Sequence, residues 1–432
     1  SLPCGPGLIV EKRSMQRLIV AAGFFSRLST CRGVSQAPFL SGLGELGGVI
    51  GRSGFEVAKR AAVDQRWEHS LPVETYLEAA GLLNRQGSGS ESSPSPVLLD
   101  VRAPCEYAKG HIPGAISLPL FSDAERAEVG TLYKREGHDV AVKRGLKLVD
   151  RKWPSLLEAV PQLSEGDDVL VYCFRGGMRS GGMAWLLSQA PLRVRTLAGG
   201  YKSYRNWALR QWEEDRPLVV LGGKTGSGKT DVLLAMRDEL GAQVLDLEGE
   251  ANHRGSIFGS LGRPPQPTNE HYENHLALQW AKFSADCPVF IEDESHAVGS
   301  CGVPPGLWGR MRSAEVTSIL MEVPHAARID RLVGEYGVYP PERLAACVEG
   351  LKKRLGGERV GELVEALERS PPALELVADQ LLEHYYDGMY THQAKSRGGH
   401  KTTVTCDSGD ALMNAQLVLE RSAELLGMPS TP

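Results

Sequence analysis

The most constraining feature of this chain is the loop Gly223-Lys224-Thr225-Gly226-Ser227-Gly228-Lys229-Thr230, which satisfies G-x-x-x-x-G-K-[ST]. An apolar run, Leu218–Leu221, precedes it, and a helix-forming run, Asp231–Leu240, follows. Glycines at 223, 226 and 228 let backbone amides point inward at phosphate oxygens, Lys229 adds a mobile positive charge, and the Thr230 hydroxyl can hold Mg²⁺. The segment therefore has to fold as strand, loop and helix, and the loop is built for a di- or triphosphate. A carboxylate partner is expected at the end of a later strand. Pro288–Ile291 runs into Glu292, Asp293 and Glu294, a set suited to positioning a metal or a water. Between them, after a strand at Gln243–Leu247, lies Ala251-Asn252-His253-Arg254-Gly255-Ser256. Its mixture of His253, Arg254 and glycine reads as a substrate-facing loop, although His253 and His296 would equally serve as caps or packing groups.

A second anion-cradling loop lies upstream, Cys173-Phe174-Arg175-Gly176-Gly177-Met178-Arg179-Ser180. A thiolate needs stabilisation at neutral pH, and backbone N–H groups closing onto a helix N-terminus, with arginines alongside, supply it. Cys173 leaves the apolar run Val169–Tyr172 and enters a Gly-Gly loop before a helix expected at Gly181–Ser188. Arg175 and Arg179 are the candidate cations. The spacing from Cys173 to Arg179 lets the Arg179 guanidinium share a tetrahedral oxyanion with the loop amides.

Earlier still come Asp100-Val101-Arg102, Glu106-Tyr107 and Gly110-His111-Ile112-Pro113-Gly114-Ala115-Ile116. In this order, with Cys173, these blocks resemble the rhodanese (sulfurtransferase) domain over roughly residues 70–212. The resemblance implies that Asp100 and Arg102 support the active loop, and that His111 belongs to a structural turn. The cysteine loop is one residue longer than that of typical single-domain sulfurtransferases. It has the C-x5-R length of cysteine phosphatases, some of which share the fold, and should admit a larger anion than a bare sulfur.

The alternation of strands and helices predicts an α/β fold: a rhodanese-like parallel-sheet domain, then a P-loop NTPase-like α/β domain with a helical C-terminal region. The expected divisions are an extension over 1–65, a first domain over 66–212 with a low-complexity insert at 86–96, and a second over 213–432. From Met15, the segment MQRLIVAAGFFSRLSTCRGVSQAPF carries three arginines and no acid. That pattern reads as a transit peptide, so the expected location is a mitochondrion or chloroplast; without such targeting it is the cytoplasm. No apolar run reaches bilayer-spanning length, so no membrane partner is expected. Eight scattered cysteines without a C-x-x-C pair argue against a zinc site or a disulfide framework. With a formal net charge of -5, any RNA contact must come from local patches: Lys143, Arg144 and Lys147 with Arg151 and Lys152; Lys202, Arg205 and Arg210; or Lys352, Lys353 and Arg354.

Taken together, LLDVRAPCEYAKGHIPGAISLPL, SDAERAEVGTLYK, VYCFRGGMRSGGMAWLL, TLAGGYKSYR, GGKTGSGKT, VLDLEGEANHRGSIFG and FIEDES are similar to the blocks of the tRNA 2-selenouridine synthases over roughly residues 70–390. The resemblance implies exchange of sulfur for selenium at C2 of a wobble 2-thiouridine in tRNA. Selenophosphate would be the donor and an S-geranylated intermediate would form from geranyl diphosphate. It also carries Cys173 over as the catalytic cysteine and Gly223–Thr230 as the diphosphate loop. The loop by itself admits ATP, GTP or a prenyl diphosphate. The rival readings are a plain sulfurtransferase or cysteine phosphatase joined to a nucleotide-regulated module, and a non-catalytic nucleotide-binding scaffold. Oligomeric state is not readable from the residues. The family commonly has Trp at Phe174 and Arg at His296.

Overall fold

The computed structural model of the chain describes residues 70–83, 95–159, 167–188, 192–390 and 401–427. The expected targeting segment and most of the 86–96 insert lie outside the described residues. The chain divides into two compact units, with the break between Trp207 and Ala208. Among the described residues no helix is long and apolar enough to cross a membrane.

The first unit is built on a five-stranded sheet in the order β1-β5-β4-β2-β3. Its strands are β1 (Ser70–Leu71), β2 (Val97–Asp100), β3 (Ile116–Ser117), β4 (Asp168–Tyr172) and β5 (Arg193–Leu197). Every pairing is parallel. Parallel strands covered on both faces read as continuous apolar runs, and β4 is such a run, with Val169, Leu170, Val171 and Tyr172 all buried. The helices are α1 (Val73–Ala79), α2 (Pro104–Lys109), α3 (Asp123–Arg135), α4 (His138–Ala159), α5 (Met178–Leu187) and α6 (Gly200–Arg210). A capping box fixes the start of α3: Ser122 Oγ accepts from Glu125 N while Glu125 accepts from Ser122 N. α4 packs against α3. A 3₁₀ turn at Gln211–Glu213 follows α6.

The second unit repeats the α/β plan. Its sheet runs β12-β11-β6-β8-β7, parallel throughout. The strands are β6 (Leu218–Gly223), β7 (Gln243–Leu245), β8 (Val289–Glu292), β11 (Thr317–Glu322) and β12 (Lys401–Thr405). β6 is central and wholly buried, so the phosphate loop leaves the middle of the sheet at its carboxyl edge. α7 (Lys229–Asp238) follows the loop, α8 (Leu247–Glu250) follows β7, and α9 (Asn269–Lys282) precedes β8. A small hairpin, β9 (Ala297–Val298) with β10 (Cys301–Gly302), and α10 (Pro305–Met311) lead to β11. Neither α9 nor the hairpin is anticipated from the sequence.

The C-terminal region is helical, as expected: α11 (His325–Tyr336), α12 (Pro341–Glu349), α13 (Lys352–Leu355), α14 (Gly357–Glu368) and α15 (Leu374–Leu381). A π-helical turn at Leu382–Tyr386 continues α15, and α16 (Ala411–Leu426) packs back on α7. Helices α12, α14 and α15 share an apolar core of their own, including Leu344, Val348, Leu363, Leu367 and Leu381.

Candidate functional site

Cys173 sits at the carboxyl end of β4, where the chain turns into the N-terminus of α5. Its thiol is almost fully buried, and two groups address Sγ: Gly177 N–H at 3.4 Å and the Ser180 hydroxyl at 3.2 Å. A second loop braces this one. Tyr201 N donates to Cys173 O at 2.8 Å and Lys202 N to Phe174 O at 3.0 Å. Gly200 has φ +62, and a side-chain carbon there would stand 2.3 Å from both Cys173 O and Gly176 N, so only glycine allows the approach.

The two supporting residues lie beneath. Asp100 and Arg102 are buried and form a double hydrogen bond, with Arg102 Nη2 2.6 Å from Asp100 Oδ2 and 2.6 Å from Gly110 O. The Arg102 guanidinium lies 3.7 Å from the centre of the Tyr201 ring, and Tyr201 is the residue that bonds the cysteine loop. His111 is stacked on Tyr107, its Nδ1 3.0 Å from Tyr107 O, as a turn residue would be.

Arg179 does not point at the thiol in this structure. Its Nη1 bonds Glu106 Oε2 at 2.9 Å, and Arg126 of α3 approaches the same oxygen at 3.5 Å. The SDAERAEVGTLYK segment thus supplies a cation to the Glu106–Arg179 pair. Burial works against the Glu106 carboxylate, but Arg179, the Ala103 amide and Arg126 outweigh it and hold its pKa below the usual value. Arg175 is exposed, its guanidinium 6.0 Å from the Phe174 ring centre.

In the second unit, Gly226 and Gly228 take the left-handed conformation (φ +78 and +75) that turns the loop into α7. A side chain at Gly228 would strike the Arg331 guanidinium at 2.5 Å, and one at Gly223 would meet Ser227 Oγ at 2.7 Å. Lys229 Nζ stands 3.4 Å from Glu292 Oε1, and Thr230 Oγ1 donates to Glu248 Oε2 at 2.8 Å and lies 3.1 Å from Glu292 Oε2. Carboxylate oxygens of Glu248, Glu292 and Glu294 all lie within 4.8 Å of one another. Burial, then repulsion from Glu292 and Glu294, pushes the Glu248 pKa up to about 10, and burial with repulsion from Glu292 lifts Glu294 to about 7. Burial opposes the Lys229 ammonium, yet the three carboxylates hold its pKa above the ordinary value.

Asp293 is turned away from this cluster. Its Oδ1 takes Arg312 Nη1 at 3.0 Å, and Arg312 in turn stacks on Trp308 at 4.1 Å. His253 braces its own loop: Nδ1 accepts from Gly255 N at 3.1 Å, and burial lowers its pKa. Arg254 reaches Glu335 at 2.5 Å and Leu261 O at 2.9 Å and lines the cavity described below. Gly255 lets the loop press on the carboxylates, since a side chain there would lie 2.6 Å from Glu248 Oε1 and 2.8 Å from Glu294 Oε1. His296 is exposed and faces Trp308 edge-on.

Sequence reasoning did not single out Glu248 or the clamp that holds the loop from behind. Glu248 has a faint signal, an acidic Asp246-Leu247-Glu248 step at a strand end, where Asp246 caps α8 through Gly249 N. The clamp is Arg328, buried, with Nε on Thr225 O at 2.9 Å and both Nη atoms on Asp387, the nearer contact at 2.5 Å. Lys224 Nζ joins Asp387 at 3.1 Å. Asp387, in the segment Tyr385–Tyr390, therefore locks the phosphate loop in place.

A cavity of about 370 Å³ opens off the loop. At its polar end are Gly226, Gly228, Lys229, Thr230 and the three glutamates. Elsewhere its wall is mixed: Arg254, Ser256, Arg331 and Glu335 are polar, while Leu332 of α11 and Leu374, Val377 and Leu381 of α15 add apolar surface. α11 flanks the loop and α15 packs on α11, while Leu344 and Val348 belong to the buried core that α12, α14 and α15 share.

Residues 216–417 match the profile of the tRNA 2-selenouridine synthase AAA domain, and residues 82–206 match the rhodanese-like domain. The chain is 38% identical over 341 residues to a tRNA 2-selenouridine synthase of Bordetella bronchiseptica, covering 69% of this chain and 89% of that protein. It is 36% identical over 341 residues to one from Pseudomonas fluorescens, covering 70% and 89%. It is 34% identical over 351 residues to one from Bdellovibrio bacteriovorus, covering 69% and 89%.

Proposed function

The chain belongs to the tRNA 2-selenouridine synthase family of tRNA-modifying transferases, and on that premise we propose that it converts 2-thiouridine at the wobble position of tRNA to 2-selenouridine. Selenophosphate is the selenium donor and geranyl diphosphate activates the sulfur. One observation supports the second half of this reading: part of the cavity off the phosphate loop is walled by half-buried aliphatic side chains, Leu332, Val333 and Leu374. These offer only apolar contact, which suits a hydrocarbon tail, whereas a nucleotide's base and ribose need hydrogen-bonding partners.

A thiocarbonyl sulfur leaves poorly, and alkylation makes it a good leaving group. The 2-thiouridine sulfur attacks C1 of geranyl diphosphate; the S–C1 bond forms, the C1–O bond breaks, and the diphosphate keeps the electron pair. The loop amides and Lys229 hold that charge. Selenide then adds at C2 and geranylthiolate departs. In the rhodanese-like domain Cys173 handles the donor, with Asp100 and Arg102 bracing the loop through Tyr201; the exposed Arg175, and Arg179 once it turns from Glu106, are the cations that meet the anion.

The carboxylates Glu248, Glu292 and Glu294 with Thr230 Oγ1 form a set of hard oxygen donors that fits Mg²⁺. When bound, that ion supplies charge neutralisation to the diphosphate. Arg254 flanks the same space, His253 shapes the loop beneath it, and Asp293 sets the end of β8 through Arg312.

Nucleotide turnover tests the reading. Selenation should proceed with selenophosphate and geranyl diphosphate and no nucleotide; stoichiometric cleavage of ATP or GTP during selenation would refute it and return the loop to nucleotide hydrolysis. Organellar targeting by the segment from Met15 is part of the same proposal, tested by sequencing the mature N-terminus: a mature chain that begins before residue 30 sinks it.

A further inference from the structure

The cysteine loop holds more than a thiolate would need merely to carry a chalcogen atom. Its C-x5-R span is the length that wraps a tetrahedral phosphorus anion. It sets Gly177 N–H and the Ser180 hydroxyl on Sγ from two directions, and the Gly176–Gly200 contact keeps it from collapsing. The donor read above is itself such an anion, a phosphorus bearing three oxygens and one selenium.

A cysteine thiolate can open the P–Se bond in two ways. Attack at selenium would expel phosphite, giving phosphorus an electron pair. The selenium left on sulfur could attack C2, but freeing the product from the resulting S–Se bond would then need two electrons. Nothing in the proposed reaction supplies them. Attack at phosphorus balances without any redox partner.

We propose that Cys173 is a phosphoryl acceptor that releases the selenium nucleophile, a step that rests on selenophosphate being the donor. The thiolate attacks phosphorus; the S–P bond forms, the P–Se bond breaks, and selenium leaves as hydrogen selenide with the bonding pair. Water then attacks phosphorus, phosphate departs, and the electron pair returns to Sγ. The Ser180 hydroxyl, 3.2 Å from both Sγ and Gly177 O, turns its proton from that carbonyl to the returning thiolate.

The surroundings of the loop also select the substrate class. An alkoxide leaving group needs a proton from a general acid. The carboxyl group nearest the loop's arginine, Glu106, is bonded by Arg179 and approached by Arg126, and these cations keep it ionised. Hydrogen selenide is acidic enough to depart as an anion at neutral pH. The loop therefore suits phosphorochalcogenates such as selenophosphate and thiophosphate, whose leaving groups need no proton from Glu106.

The test is a single turnover of the full chain with selenophosphate, quenched in base and read by intact mass and peptide mapping, for the native protein and Ser180→Ala. The expected result is one phosphoryl group on Cys173, with selenide equal to phosphoenzyme plus free phosphate. In Ser180→Ala the label should persist roughly tenfold longer, the effect of one hydrogen bond to the leaving sulfur. Selenium on Cys173 without phosphorus, or stoichiometric phosphite, would overturn the proposal, and the native protein alone decides this if Ser180→Ala does not fold. Thiophosphate run in parallel separates the two levels. A chain phosphorylated by thiophosphate but inert to selenophosphate refutes the donor and keeps the acceptor role. Selenouridine formed with a phosphorus-free, selenium-loaded Cys173 does the reverse.

Discussion

Asp387→Ala should loosen the phosphate loop from a distance. Asp387 takes both Nη atoms of Arg328 and the Lys224 ammonium, and Arg328 is only 2% exposed while it also holds Thr225 O. Removing one partner of a buried pair costs about 3–5 kcal/mol, because the remaining charge is left without compensation. Asp387 is 22% exposed and water would partly replace it, so we take about 2–4 kcal/mol. For a unit of this size that is a fall in Tm of roughly 4–16 °C. The loss should appear in the transition of the second unit only. Affinity for a prenyl diphosphate should fall with it, since Thr225 loses its anchor. The pH dependence gives a second readout. Burial disfavours the Asp387 carboxylate, but Arg328 and Lys224 prevail and depress its pKa. Its stabilisation is therefore present above the ordinary carboxylate range and is lost as pH falls through the lowered value; Asp387→Ala should flatten that acid limb. Denaturant unfolding monitored against pH checks both. A variant within about 0.5 kcal/mol of the native protein, with an unchanged acid limb, would refute the reasoning.

The apolar pocket should act as a length gauge. Leu374→Ala in its wall should raise farnesyl over geranyl diphosphate affinity by about tenfold, measured calorimetrically. Leu374→Phe should lower geranyl binding and spare the shorter dimethylallyl diphosphate. Gly200→Ala places a carbon 2.3 Å from Cys173 O at φ +62, so selenation should be lost while the unfolding of the phosphate-loop unit is unchanged. Lys143 and Lys147 lie exposed one turn apart on α4, whereas Arg144 beside them is paired with Glu128. Replacing both lysines with Gln should weaken tRNA binding and reduce the salt slope by about 2; an unchanged slope would remove them from the RNA surface.

Much of the architecture is legible in the sequence because the two loops are local. Strand, glycines, nucleophile or lysine, and helix follow one another within a few residues, so each loop carries its own geometry. The helix α9 is not legible, since its buried side includes Asn274 as well as Leu276 and Trp280, and the mixture blurs the helical period. Partners far apart in sequence escape for a different reason. Arg328 meets Asp387 across 59 residues and Arg179 meets Glu106 across 73, and nothing local marks either pair. Glu248 joins Glu292 and Glu294 only because β7 and β8 lie side by side. Asp293, read with its neighbours as part of one acidic step, points to Arg312 instead, because adjacent residues leaving a strand face opposite ways.

The central claim is that one chain exchanges the chalcogen of a tRNA base using a thiol on one loop and a prenyl diphosphate on the other. Mass spectrometry of wobble nucleosides from tRNA incubated with the protein, selenophosphate and geranyl diphosphate tests it most directly. The account predicts 2-selenouridine with the native protein. With Cys173→Ser it predicts S-geranyl-2-thiouridine that goes no further, and with Lys229→Ala unmodified 2-thiouridine. Selenouridine formed by Cys173→Ser from selenophosphate, or geranylation undiminished in Lys229→Ala, would contradict it.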